Sequence, residues 1–312
     1  MTPTSSRPKL FVLDAMALIY RAHFVFVNNP RVTSTGLNTS AAFGFVNSLL
    51  EVLDKEKPTH IAVAFESEKP TFRHEQFPDY KAQREAAPEE LIKAIPMVLR
   101  LMKAMNIAVL QHEGFEADDI MGTLARRAAD AGYEVYLMTM DKDMAQLVTD
   151  HVYLYRPGMG GKPHEVLDRE RVIERYGVPP ERIADFLGLK GDASDNIPGI
   201  PKVGDKTALE LLNQFGTLEQ VIARADEITK KAVKASVIEF AEQGRFSKEL
   251  ATIHCEVPVE FAFESLRVRA PDREAIEPVL AEYEFRTLAR RLLGPAQQAP
   301  SEGQHTLAFG GG

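Results

Sequence analysis

Short apolar runs recur through the first half of the chain, each followed by an amphipathic stretch, and few folds tolerate that alternation. Strands joined by crossover helices run parallel and need both faces covered, so the pattern predicts an α/β fold, a mostly parallel sheet flanked by helices. Residues 9–13 read as the first strand, 61–65, 107–111 and 134–139 as the next three, and 152–155 as a fifth. Helices are expected over 39–56, 89–105, 116–131 and 142–148. Within 89–105, Leu91, Ile92, Ile95, Val98, Leu99 and Met102 recur at helical spacing and predict the core-facing stripe. Beyond 165 the pattern changes to short helices joined by Gly and Pro turns, with no further strand until 256–261. The expected organisation is a flexible N-terminus (1–8), an α/β domain (9–165), a helical subdomain (166–255), a segment packing back on the body and ending in a helix over 273–293 (256–293), and a flexible tail (294–312).

Acidic residues fall where those strands end. Asp14 follows the first strand and Glu66 the second; Glu116, Asp118 and Asp119 lie a short loop beyond the third, and Asp141 and Asp143 follow the fourth. In an open parallel sheet the carboxyl ends of the strands share one edge, so these seven acids are expected to converge there. Asp192 and Asp195 lie three apart, close enough to share a turn. Taken singly, Glu116 or Asp118 reads as an acid at a helix N-terminus. The coincidence at four strand ends carries the stronger reading, because two carboxylates 4 Å apart repel by about 4 kcal/mol at an effective dielectric near 20 and need a counter-charge. A donor set of carboxylate oxygens without His or Cys points to Mg²⁺ or Mn²⁺ rather than Zn²⁺, and hard cations beside a phosphate suit phosphodiester hydrolysis.

Charge bears on the partner. There are 37 Lys and Arg against 45 Asp and Glu, a formal net charge of −8, which argues against a nucleic acid. Setting the nine acids above aside leaves 36 against 37, so the acidity is largely that of the metal pocket. DNA binding would then rest on local cationic strips and weaken with salt. No apolar run approaches the roughly 18 residues of a membrane span, and residues 1–8 lack the apolar stretch of a signal peptide, so a cytoplasmic location without membrane contact is expected. The single cysteine, Cys255, excludes an intramolecular disulfide and reads as core filler.

Three stretches carry a family resemblance. Gly114-Phe115-Glu116-Ala117-Asp118-Asp119, Thr139-Met140-Asp141-Lys142-Asp143 and Gly191-Asp192-Ala193-Ser194-Asp195-Asn196-Ile197-Pro198-Gly199 occur in that order over a likeness spanning 9–293. They resemble the 5′-nuclease domain of bacterial DNA polymerase I, within the flap endonuclease family. The resemblance implies a PIN-like domain with two metal sites and a helix-hairpin-helix subdomain, cutting 5′ flaps and nicked duplexes in replication and repair. It implies that Asp14, Glu116, Asp118, Asp119 and Asp141 surround the first metal site and Asp143, Asp192 and Asp195 the second, with Asp141 able to touch both. Glu66 stands where the family has Asp, which predicts impaired rather than abolished activity, and Ala15 replaces the usual glycine after the first acid.

The same resemblance assigns DNA-handling residues. Between Lys69 and Arg84, cations alternate with Phe72, Phe77 and Tyr80, which alone reads as a solvated loop with a few buried aromatics. By resemblance this stretch leads into a helical arch, about 68–95, in which Lys81 and Arg84 meet the scissile phosphate, Tyr80 stacks on a base, and Arg73 contributes a cation. Arg21 matches a basic family position, although an ion pair accounts for it equally well. Residues 199–208 resemble a helix-hairpin-helix, with Gly199, Lys202, Gly204, Lys206 and Thr207 toward duplex phosphates and a K⁺ site in the family hairpin. Lys202 replaces the hairpin's first glycine, where a side chain strains a left-handed backbone. Gly158-Met159-Gly160-Gly161 lacks the Lys-Ser/Thr of a phosphate loop and reads as a turn. In the tail, Gln304, Leu307 and Phe309 resemble a sliding-clamp-binding peptide. The implied partners are DNA, a covalently or functionally linked polymerase and the clamp, for a nucleoid-associated monomer. Two other readings stay open: a PIN-like ribonuclease, and a catalytically weak DNA-binding module suggested by Glu66, Ala15 and Lys202.

Overall fold

The computed structural model describes residues 7–158 and 163–294. Its first part runs β1 (Lys9–Asp14), α1 (Ala15–Phe26), α2 (Ser40–Glu56), β2 (His60–Ala64), α3 (Phe72–Gln76), α4 (Glu89–Ala104), β3 (Ala108–Leu110), α5 (Ala117–Asp130), β4 (Glu134–Met138), β5 (Val152–Arg156) and β6 (Glu165–Leu167). The strands form one sheet in the order β3-β2-β1-β4-β5-β6, parallel throughout except for β6, which closes antiparallel on β5. No strand range is read for the three-residue β6, which carries too little apolar alternation to be seen without its partner.

β1 sits at the centre, and its side chains alternate between two cores. Leu10 and Val12 pack with α5 on one face, while Phe11 and Leu13 pack with α1, α2 and α4 on the other; all four are fully buried. Each such side chain contributes about 1.5–3 kcal/mol of burial. In α4 the buried face is Leu91, Ala94, Val98, Leu101 and Met102, whereas Ile92 and Leu99 of the expected stripe are 56% and 37% exposed. The reason is the 100° step of the helix, which carries position 92 off the face that 91 occupies.

The second part continues with α6 (Arg169–Tyr176), α7 (Ile183–Lys190), α8 (Asp205–Phe215), α9 (Leu218–Ala223), α10 (Lys231–Glu239) and α11 (Ala241–Ala251), then α12 (Arg273–Glu282) and α13 (Arg286–Leu293) packed back on the sheet domain. Three expectations need correction. Residues 143–147 form a 3-10 turn, not an α-helix; the Asp143 N–H is drawn to Asp141 Oδ1 (2.8 Å) and the Gln146 side chain to the Ala251 carbonyl (3.0 Å). Residues 256–261 form no strand, because α5 side chains take their backbone groups: Thr123 Oγ1 accepts the Val257 N–H (3.0 Å), and Arg127 donates to the Val257 and Val259 carbonyls. The helix over 273–293 breaks at Glu284, whose φ of +53° turns the chain so that Tyr283 and Phe285 both enter the core. Gln304, Leu307 and Phe309, and most of the 158–161 turn, lie outside the described residues.

Candidate active site

Because β1, β2 and β4 are parallel, their carboxyl ends meet at one edge, and strand order reverses between β1 and β4, where such sheets open a ligand crevice. Asp14 ends β1 and caps α1; its Oδ1 accepts the Ala17 N–H (3.0 Å) and its Oδ2 the Thr139 hydroxyl (2.7 Å). The N-terminus of α5 adds Glu116 and Asp118, and the chain after β4 adds Asp141 and Asp143. Proximity shows in the electrostatics. Asp118 is held well above the usual carboxylate range by burial first, then by Asp141, Asp14 and Glu116. Asp143 is pushed up to about 8 by burial first, then by Asp141 and Asp192, and burial likewise raises Asp14 and Asp141.

The loop after α7 closes the site from the helical side. Gly191 turns with φ +78°, and paired backbone bonds between Asp192 and Ile197 (2.9 and 2.8 Å) fold the loop back. Burial acts against the Asp192 charge, yet Lys142 Nζ at 3.0 Å and the Ser194 donors hold its carboxyl below the usual range. Asp195 accepts from Arg84 (2.5 Å) and the Tyr80 hydroxyl (3.0 Å), and Lys81 Nζ lies 3.9 Å away. Lys81 also donates to Glu116 at 2.7 Å, so two cations from the segment between α3 and α4 stand over the acidic edge.

These residues fit a hard divalent cation in donor chemistry: every candidate ligand is a carboxylate, and at Asp118 and Asp143 burial and like-charge repulsion outweigh the relief from Lys81 and Lys142, respectively. Among the described residues no three acids are already drawn into a closed cage, their oxygens being turned toward Thr139, Lys81, Arg84, Lys142 and backbone N–H groups.

Several expected site residues lie elsewhere. Asp119 is fully buried and spends both oxygens on Arg73 (2.7 and 2.8 Å) and on the Glu116 and His254 N–H groups, which leaves it none for the metal edge. Arg73, 2% exposed, is correspondingly closed to DNA. Tyr80, 3% exposed, bridges Glu116 and Asp195 through its hydroxyl and offers no face for a base to stack on. Glu66, by contrast, stays at the edge, exposed on the rim of a cavity it lines with Lys81 and Glu116; its carboxyl is raised, by desolvation first and then by Glu116 and Asp14 against Lys81 and Arg84. Arg21 joins two helices and a loop, donating to Ser48 Oγ (3.1 Å) and to the Gly158 carbonyl.

In the hairpin between α7 and α8, the Gly199 N–H is taken by Ser247 Oγ (3.0 Å) and its carbonyl by Gln243 (2.6 Å), so this glycine closes the loop and is not open to phosphate. Lys202 (φ +67°), Gly204 and Lys206 are exposed, Thr207 is half-buried, and α8 begins without a side-chain cap, which leaves its first N–H groups available to an anion. The sequence reading missed two features. Lys142 completes the Asp192 pair, and Phe24, Val25, Val27 and Val32, in the last turn of α1 and the chain that follows, are exposed apolar side chains. Four successive apolar residues, 24–27, at the end of an otherwise amphipathic helix were the available signal.

Known proteins share this fold and much of this sequence. The chain is 41% identical over 290 residues to DNA polymerase I of Bacillus subtilis and 39% identical over 294 residues to that of Bacillus caldotenax, covering 92% and 94% of this chain. It spans about a third of those relatives, 32% and 33% of their length. Among solved structures, a T5 5'-exonuclease with bound zinc overlays with a TM-score of 0.67 at 20% identity, covering 90% of this chain and 98% of that one. A bacteriophage T5 flap endonuclease solved with DNA and metal ions overlays at 0.66 and 19% identity, covering 88% and 99%. At such identities the overlays show the shared fold. Residues 9–177 match the family described as 5'-3' exonuclease, N-terminal resolvase-like domain, and residues 178–274 its C-terminal SAM fold, so the two halves that build the acidic edge and the hairpin together make this chain a nuclease of the 5'-3' exonuclease family.

Proposed function

We propose that the chain is a divalent-cation-dependent, structure-specific nuclease that hydrolyses phosphodiester bonds in 5′-flap and nicked duplex DNA during replication and repair. The observation that carries this reading is the carboxylate edge at the β1/β4 switch point with Lys81 and Arg84 standing over it. Asp14, Glu116, Asp118 and Asp141 would hold one cation and Asp143, Asp192 and Asp195 a second. Bound there, Mg²⁺ or Mn²⁺ supplies an acidified water and positive charge against the developing oxyanion. Lys81 and Arg84 exchange their carboxylate partners for the phosphate oxygens, and the Tyr80 hydroxyl keeps Glu116 and Asp195 oriented while they do so.

Away from the chemistry, the first turn of α8 with Gly204, Lys206 and Thr207, joined by Lys202, holds duplex phosphates without reading sequence. The exposed apolar side chains of Phe24, Val25, Val27 and Val32 are the candidates to stack on a base pair at a junction. DNA is the proposed substrate and a covalently or functionally linked polymerase the proposed partner, the latter supported by the relatives' name. The setting proposed is the cytoplasm; among the described residues no helix is long and apolar enough to cross a membrane.

The test is cleavage of an end-labelled 5′-flap duplex with and without Mg²⁺. Wild type is expected to cut only with the metal, and Asp118→Asn to lose at least about 100-fold in kcat. Glu66→Asp, at an exposed rim position, should change the rate by less than about tenfold, or about 1.4 kcal/mol of barrier. Binding of the flap without metal-dependent cutting would refute the proposal.

A further inference from the structure

Arg73 and Asp119 form an ion pair whose side chains are 3% and 0% exposed, out of reach of both substrate and solvent. Such a pair needs partners for its polar atoms, and here each guanidinium nitrogen and each carboxylate oxygen has at least one, with Glu116 Oε2 a further 3.7 Å from Arg73 Nη1. Asp119 takes the third position of α5, where the helix dipole favours an anion, and its Oδ2 accepts the Glu116 N–H at 3.1 Å. Arg73 serves the opposite pole of another helix. Its Nε donates to the Leu250 carbonyl (2.8 Å) in the last turn of α11, and one Nη donates to the Thr252 carbonyl (2.9 Å). The two guanidinium nitrogens close on Asp119 at 2.7 and 2.8 Å, and the His254 N–H adds a bond at 2.8 Å, so each carboxylate oxygen accepts twice.

Farther back along α11, Ser247 and Gln243 hold both backbone polar groups of hairpin residue Gly199. α11 also lies hard against α7: a Cβ on Gly188 would come 3.1 Å from the Gly244 carbonyl oxygen. A continuous packed path therefore leads from the hairpin, about 10 Å along α11 at 1.5 Å per residue, through Arg73 and Asp119 to the backbone of Glu116.

We propose that the Arg73–Asp119 pair is a positioning element that sets which phosphodiester of a hairpin-held duplex reaches the carboxylates. This rests on the nuclease reading above. The hairpin grips the duplex, the acids wait on α5, and the pair fixes the distance between them; loosening it lets neighbouring phosphates take turns at the site. Neither residue touches the reacting atoms, so both act through Glu116.

The full chain and its variants Arg73→Met, Arg73→Lys, Asp119→Asn and the double change Arg73→Met with Asp119→Leu are compared on an end-labelled 5′-flap duplex with Mg²⁺. Wild type is expected to cut mainly at one phosphodiester. Each single variant spreads its cuts over adjacent phosphodiesters and loses roughly 10- to 100-fold in kcat with KM unchanged. Lysine cannot present the planar fork, so Arg73→Lys blurs the cut as Arg73→Met does. The double variant, which refills the volume with apolar groups, is no worse than the poorer single. Sharp cutting in every variant overturns the proposal. So does a salt slope of DNA binding that falls by about one unit in Arg73→Met, which would make Arg73 a phosphate ligand. Mn²⁺ binding by calorimetry that is weakened in Asp119→Asn and unchanged in Arg73→Met would make Asp119 a metal ligand and overturns it equally. Amide exchange separates this proposal from the nuclease reading. Should wild type cut nothing, exchange at Glu116 and His254 that is roughly tenfold faster or more in the double variant still supports the strut, and unchanged exchange overturns it whatever the activity.

Discussion

At Lys202 the backbone φ is +67° and the side chain is exposed. A residue with a Cβ in that region gives up about 1–2 kcal/mol against glycine, while glycine carries about 0.5–1 kcal/mol of extra unfolded-state entropy. Lys202→Gly is therefore expected to raise stability by about 0.5–1 kcal/mol, read as a higher urea midpoint at unchanged slope; a lower midpoint would show that the lysine is held by contacts that repay its conformation. The strain was legible from sequence because it follows from one residue type at one hairpin position. The acids were legible for a similar reason: Asp14, Asp118, Asp141 and Asp143 each sit where a strand or helix boundary puts them. Arg73, Asp119 and Tyr80 were not. Whether an arginine meets a phosphate or a buried aspartate depends on segments 46 and 177 residues away, and neighbouring sequence carries no trace of them.

Among the elements, the loop joining α7 to α8 is the least forgiving. Gly199 has φ +63°, and a Cβ there would stand 2.2 Å from the Gly191 nitrogen and 2.4 Å from the Lys190 carbonyl carbon, both backbone atoms that cannot swing aside. Gly199→Ala is expected to cost about 4 kcal/mol or more, in the tail reserved for changes that force backbone to move. Thermal unfolding should show it, and a shift under about 2 °C, the effect of roughly 1 kcal/mol in a chain this size, would contradict the packing described. Strands β1 to β5 and the long helices were readable because their patterns repeat over many residues. The extended run 256–261 and the break at Glu284 were not readable, since the first is satisfied by side chains of α5 and the second by the burial of two aromatic rings.

For the whole molecule, the crowded edge links stability to pH. Asp143 is raised to about 8 and Asp118, Asp14 and Asp141 are raised as well, so the metal-free folded state holds more protons than the unfolded chain. The sign follows: stability contributed at low pH is lost as pH climbs from the unfolded carboxylate range near 4 through the raised folded values, about 8 for Asp143. Tm in EDTA is expected to fall between about pH 5 and pH 8, and Mg²⁺, which needs the carboxylates ionised, to raise Tm more at the upper end. Asp143→Asn should flatten the fall in EDTA. A Tm that rises over the same interval without metal would show that the acids are not in mutual repulsion.

The sequence alone determined the α/β class and the convergence of acids on one edge, because strand direction and strand-end position are local properties that a parallel sheet turns into a shared location. The family resemblance of residues 199–208 also pointed to the hairpin. Only the tertiary structure decided which charges face the edge and which face each other. A carboxylate's role is set by the cation that comes within hydrogen-bonding distance of it, and for Asp119 that cation is Arg73 on a different element, held there by the carbonyl end of α11.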